Sequence, residues 1–136
     1  MRKLLAVSIA VVIGLVALAA DSKNVERGKY LAEEVGRCQE CHTPKTEAGE
    51  LDKTKWLKGA VLEYGPLTTI KDWHKTSPDI TPGGRLWSRW GGRPALVKYL
   101  TTGLTPKGTK AGPPMPTYTM KQEDAEAIVD YLETLK

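Results

Sequence analysis

The chain has 136 residues, of which 20 are Lys or Arg and 16 Asp or Glu, a formal charge of +4. That length allows one domain with one modest core. Two cysteines are too few for a disulfide scaffold, and scattered lysines without interleaved aromatic residues leave no nucleic-acid footprint.

Arg2 and Lys3 open the chain, and no charge follows from Leu4 to Ala20. The run ends in Ala17-Leu18-Ala19-Ala20, ahead of the polar Asp21-Ser22-Lys23-Asn24. A basic start, an apolar middle and a small-residue end are the build of a secretory signal peptide over residues 1–20, cut after Ala19 or Ala20. Seventeen uncharged residues also reach the lower limit for crossing a bilayer, so a retained membrane anchor is the other reading. Both put residues 21–136 outside the cytoplasm. Removing 1–20 takes away Arg2 and Lys3 and no acid, lowering the charge from +4 to +2.

From about Asn24 to Val35 the apolar residues Val25, Leu31, Ala32 and Val35 recur at helical spacing. Ser22 or Asn24 can cap the start, and Gly36 can stop the helix. A glycine inside a helix costs about 1 kcal/mol against alanine. Gly28 is therefore expected where another helix crosses closely, or as a tolerated surface residue.

Next comes Cys38-Gln39-Glu40-Cys41-His42, which holds both cysteines and one of the two histidines. Two thiols three residues apart, followed at once by an imidazole, form the attachment signature for c-type haem. On one helical turn, positions i, i+3 and i+4 share a face. Cys38 and Cys41 can then reach two vinyl groups on the porphyrin rim, and His42 the iron as proximal ligand. A redox dithiol belongs beside a βαβ pattern, which no β-branched run here provides. A structural zinc site needs four ligands, and only His74 remains to offer.

From Thr43 to Arg93 the chain reads as irregular, with Pro44, Gly49, Gly59, Gly65, Pro66, Pro78, Pro82 and Gly83-Gly84 along it. So long a stretch fits a compact domain only if a rigid cofactor replaces the missing core. The apolar residues there, including Leu57, Val61, Leu67, Ile70 and Ile80, are then expected against the porphyrin. All four tryptophans (Trp56, Trp73, Trp87 and Trp90) lie here as well. Their indole N–H groups can serve haem propionates, although ordinary core packing is the better expectation for any one of them.

Pro94 to Thr102 reads as a short helix, with proline at its start and Gly103 at its end. After a polar loop comes Gly112-Pro113-Pro114-Met115-Pro116-Thr117-Tyr118. Prolines restrict their own φ and the residue before them, so this loop stiffly presents a thioether. Each compatible proline contributes about 0.4–1 kcal/mol of prepaid chain entropy, which matters for a weak iron–sulfur bond. Met115 is the expected sixth iron ligand. Met120 reads as core, and His74 would give bis-histidine iron. The chain closes with an amphipathic helix at about Lys121 to Leu135. Ala125, Ile128, Val129, Leu132 and Leu135 form its stripe, and Thr119 and Gln122 have capping-box spacing.

On the residues Gly28-Lys29-Tyr30-Leu31, Cys38 to Pro44, Pro114 to Tyr118 and Glu123-Asp124-Ala125…Tyr131-Leu132, the chain from about Asn24 to Lys136 resembles a class I c-type cytochrome of bacterial type. Ser77 to Pro82 is similar to a stretch in cytochrome subunits of membrane-bound dehydrogenases. The resemblance implies an all-α fold: a small helical domain wrapped around one covalent haem, with long irregular loops. Its first and last helices would cross near Gly28 and Ile128–Leu132, with the haem clasped between His42 and Met115. Where the family often has a serine before the last helix, this chain has Lys121.

With both axial positions filled, iron has no site for substrate. The expected function is one-electron transfer, not enzymatic turnover, between a dehydrogenase or quinol-oxidising complex and a terminal acceptor in the periplasm. Lys45, Lys53, Lys107 and Lys110 can ring a haem edge, though solvated lysines are the simpler account. Two other readings stand beside this one: a haem-bearing subunit fixed in a larger dehydrogenase, and a five-coordinate haem sensor or enzyme.

Overall fold

The computed structural model describes residues 22–135. The expected signal peptide or anchor at 1–20 lies outside the described residues. Among those described, no helix is long and apolar enough to cross a membrane.

Helix α1 occupies residues 22–30 and loosens into a π-helical turn over Leu31–Val35, closed by the Gly36 N–H on the Leu31 carbonyl at 2.8 Å. Helical residues already precede Asn24, so Asn24 is not the cap. Its side-chain amide donates to Asp130 at 3.0 Å instead. Gly36 ends the helix but keeps right-handed dihedrals, and the chain reverses one residue later, where Arg37 has φ +50°.

Helix α2, Cys38–His42, is a single turn. The segment behind it runs through a 3-10 turn, Lys53–Lys55, and then meets the strands β1, Ala60–Val61, and β2, Thr76–Ser77. These pair antiparallel with Ala60 opposite Ser77 and Val61 opposite Thr76. Helix α3, Arg85–Trp90, follows, then α4, Arg93–Thr102, and α5, Gln122–Glu133. The hairpin and α3 correct the expectation of an irregular stretch from Thr43 to Arg93. Two-residue strands and a six-residue helix are too short to show a periodicity in sequence. Helix α4 begins one residue before Pro94 and ends, as expected, at Gly103, with φ +71°.

The core lies between α5 and everything else. Ala125, Ile128, Val129 and Leu132 pack with Ala32 of the π turn, with Leu96 and Val97 of α4, and with Leu57 and Trp87 from the middle segment. Gly28 is buried at the crossing of α1 with α5. Arg27 pairs with Asp124, and Arg93 bridges Asp130 at 2.6 Å and Glu133 at 2.8 Å, so both neighbouring helices are also tied to α5 by charge. The expected capping box of α5 is not formed. Lys121 stands at the cap position with no side-chain bond to the helix.

The middle segment therefore contributes more to the protein core than expected. Leu57 is fully buried and Trp87 nearly so, and the Trp87 indole donates to the Ile80 carbonyl at 2.6 Å. Val61, Tyr64, Leu67 and Ile70 instead face outward.

Candidate functional site

The π turn and the left-handed Arg37 aim α2 so that its cysteine face turns inward. Gln39 donates its side-chain amide to the Glu33 carbonyl at 2.8 Å, bracing α2 on the π turn. Cys38 and Cys41 are free thiols, each half-buried. Burial pushes the Cys38 thiol up to about 11. Redox-active and metal-binding cysteines need the opposite shift, toward thiolate. Among the described residues, no group of three or more His, Cys, Asp or Glu is placed to hold a metal ion. The zinc reading of the pair therefore lacks a ligand set among the described residues.

His42 is buried at 5% exposure, and its Nδ1–H donates to the Pro78 carbonyl at 2.8 Å. Desolvation holds its pKa below the ordinary imidazole value, against the opposing effect of that hydrogen bond. The ring is thus neutral, with its proton on Nδ1, which leaves the Nε2 lone pair for a metal. This donor set fits a covalent haem: two thiols one turn apart and a neutral, oriented imidazole beside the second.

Pro78 is placed by the turn that follows it. The Asp79 carboxylate accepts from the Thr81 backbone N–H at 2.8 Å and from its hydroxyl at 2.7 Å, and Thr81 is fully buried. From the other side, the Gly59 N–H donates to the His42 carbonyl at 2.7 Å, and the Leu57 N–H to the Thr43 hydroxyl at 2.9 Å. The Ser77 hydroxyl donates to the Cys41 carbonyl. Ser77 and Pro78 have positioning roles that composition and periodicity do not reveal. The only signal for them was the Ser77 to Pro82 resemblance.

The loop carrying Met115 meets this end of the molecule. The Tyr118 hydroxyl donates to the Gly36 carbonyl at 3.1 Å, two residues before Cys38. Burial pushes that phenol up to about 12, with a further contribution from the nearby cysteines. Met115 is half-buried, and its N–H reaches the Gly112 carbonyl at 3.3 Å. Met120 packs at the edge of the core, as expected, and its N–H donates to the Leu100 carbonyl at 2.9 Å.

His74 is exposed. Its backbone N–H donates to the Pro113 carbonyl at 2.7 Å, and its ring lies against Gly112, where an added Cβ would stand 2.5 Å from Nε2. It braces the methionine loop from outside. Of the tryptophans, Trp56 donates to Glu33 at 3.0 Å and is also 3.1 Å from the Tyr131 hydroxyl. With Trp87 committed to Ile80, two of the four indole N–H groups are engaged within the protein. Lys45 pairs with Glu63 at 3.6 Å.

A family model of cytochrome c matches residues 25–136. The chain is 37% identical over 113 residues to a diheme cytochrome c-type protein of Cereibacter sphaeroides, covering 79% of this chain and 34% of that one. It is 31% identical over 121 residues to a nicotinate dehydrogenase subunit of Pseudomonas putida, covering 85% and 9%. To the fructose dehydrogenase cytochrome subunit of Gluconobacter japonicus it is 32% identical over 116 residues, covering 80% and 21%. The chain thus spans about a third or less of the length of each of these relatives. The family match agrees with the mainly helical fold and with a donor set suited to covalent haem and electron transfer: the chain belongs to the cytochrome c family.

Proposed function

We propose that residues 21–136 form a one-electron carrier holding one haem c, attached through Cys38 and Cys41 and ligated at iron by His42 Nε2 and Met115 sulfur. The observation that carries this reading is that two separate ties join the methionine loop to the cysteine turn. Tyr118 reaches Gly36 directly. The segment between β1 and β2 touches Cys41 through Tyr64 and Pro113 through His74.

The haem supplies a reversible Fe(III)/Fe(II) couple. The residues of the chain hold that couple in place and set its potential. The Pro78 carbonyl keeps the His42 proton on Nδ1, so Nε2 remains a ligand without a proton being exchanged. Met115 fills the sixth position and keeps out exogenous ligands, which separates a carrier from a five-coordinate sensor or enzyme. A thioether ligand favours the reduced state relative to a second imidazole.

In this reading residues 1–20 are a leader, and the carrier works outside the cytoplasm, between a dehydrogenase or quinol-oxidising complex and a terminal acceptor. A second reading is favoured by the relatives, two of which are named as parts of dehydrogenases: the chain is the cytochrome part of a larger dehydrogenase. Size exclusion after gentle extraction distinguishes these, a lone monomer supporting the free carrier.

Mass spectrometry and an optical spectrum test the site. A mass increase of one haem is expected, with a weak far-red band in the oxidised form that Met115→Ala abolishes. Bare peptide mass would overturn haem attachment, and persistence of the band in the variant would move the ligand to Met120.

A further inference from the structure

The segment 62–75 forms a loop, closed at its base, that is tied to two parts of the site. At its base, β1 pairs with β2, and the Leu62 N–H donates to the Lys75 carbonyl at 2.8 Å. Ser77, just past the base, holds the Cys41 carbonyl. One residue inside that base, His74 donates its N–H to the Pro113 carbonyl. Between these points the Tyr64 hydroxyl lies 3.3 Å from the Cys41 sulfur. Tyr64 is half-exposed, so burial alone does not hold it there. Its ring meets Trp73 edge-on, with centroids 6.1 Å apart and planes at 82°. Aromatic pairs of this geometry are favourable beyond the area they bury.

We propose that Tyr64 is a positioning and tuning residue for the haem edge at Cys41, with its hydroxyl donating a hydrogen bond to the Cys41 sulfur and Trp73 holding its ring in place. The proposal rests on the carrier reading above. Once Cys41 is alkylated its sulfur has no proton and can only accept. A tyrosine phenol keeps its proton at neutral pH, so the hydroxyl is the donor. A donor on this sulfur draws electron density from the group attached there, which favours the ferrous state, the one that carries one more electron. Hydrogen bonds around a cofactor are among the means by which proteins adjust iron potentials.

The test is redox titration of the holoprotein in three variants. Tyr64→Phe keeps the ring and removes the hydroxyl. It should lower the ferrous-to-ferric ratio at fixed solution potential by about threefold, a fraction of one net hydrogen bond, while the far-red band is unchanged. Trp73→Leu should shift the ratio the same way. In the double variant the two shifts should not add, because Trp73 acts through Tyr64. A Tyr64→Phe ratio equal to the parent's, with the band intact, overturns the proposal. So does full additivity of the two substitutions. A parent chain without haem overturns the carrier reading and this one together, whereas an unshifted variant of a normal haem-bearing parent overturns this one alone.

Discussion

Gly28 lies directly against the backbone of Ala127. A Cβ built on Gly28 would stand 1.8 Å from the Ala127 carbonyl oxygen and 2.4 Å from its carbon. Both atoms belong to the α5 main chain and cannot swing aside, so α1 and α5 approach as closely as two helices without side chains between them. This contact anchors the π turn, and through it the cysteine turn, on the core.

Gly28→Ala is accordingly expected to destabilise the holoprotein by about 3 kcal/mol, the upper part of the range for inserting a methyl group into a packed interior. Guanidinium unfolding followed by tryptophan fluorescence measures it. A loss under about 0.5 kcal/mol would mean that the helices separate at little cost, contrary to the close packing expected of interiors.

Gly112→Ala tests the outer brace of the methionine loop. Its Cβ would meet the Asp72 carbonyl at 2.6 Å and the His74 ring at 2.5 Å. If Met115 is the sixth ligand, loosening its loop by more than about 1 kcal/mol makes it easier to displace. Added imidazole should then bind the oxidised variant about tenfold more tightly than the parent, since 1.4 kcal/mol is a factor of ten. Equal imidazole affinity would show that the brace does not support ligation.

The Glu33 carboxylate accepts from both the Tyr131 hydroxyl and the Trp56 indole, joining the π turn, the middle segment and α5. Tyr131→Phe should cost about 1.5–3 kcal/mol, the range for a hydrogen bond to a charged partner. Combined with Trp56→Phe, the loss should fall short of additive, because both donors serve one carboxylate. Strict additivity in urea unfolding would argue against a shared network.

Alkaline pH should weaken the fold through its buried phenols. Burial is the largest cause raising both Tyr118, to about 12, and Tyr131 above the ordinary tyrosine value. The unfolded chain loses these protons first, near pH 10, while the folded chain keeps them. The stability they contribute is complete below pH 10 and falls as pH rises from about 10 toward 12. Tyr118→Phe should flatten that decline in unfolding titrations, and an unchanged slope would count against it.

Arg93 offers a contrast. It joins α4 to Asp130 and Glu133 of α5, but its side chain is 36% exposed. Surface ion pairs contribute about 0–1 kcal/mol, so Arg93→Ala should lower stability by no more than about 1 kcal/mol, and by less still in concentrated salt. A larger loss would mean that this arginine does more than bridge charges.

Short-range structure was legible in the sequence because it is carried by neighbours in the chain. The turn of Cys38 to His42, the stripe of α5, and the proline and glycine that bound α4 all lie within one or a few turns, and backbone geometry imposes their periods. Gly28 stood out through the helix rule it breaks. The hairpin and α3 did not, being shorter than any period can reveal. The capping box at Thr119 was misleading, since Lys121 took the cap position. What only the tertiary structure decided are contacts across long separations. Pro78 meets His42 from 36 residues away, Tyr118 meets Gly36 from 82, and Tyr131 meets Glu33 from 98. Such pairings depend on how loops close and cores pack. These are sums over the whole chain, and no short stretch of residues carries them.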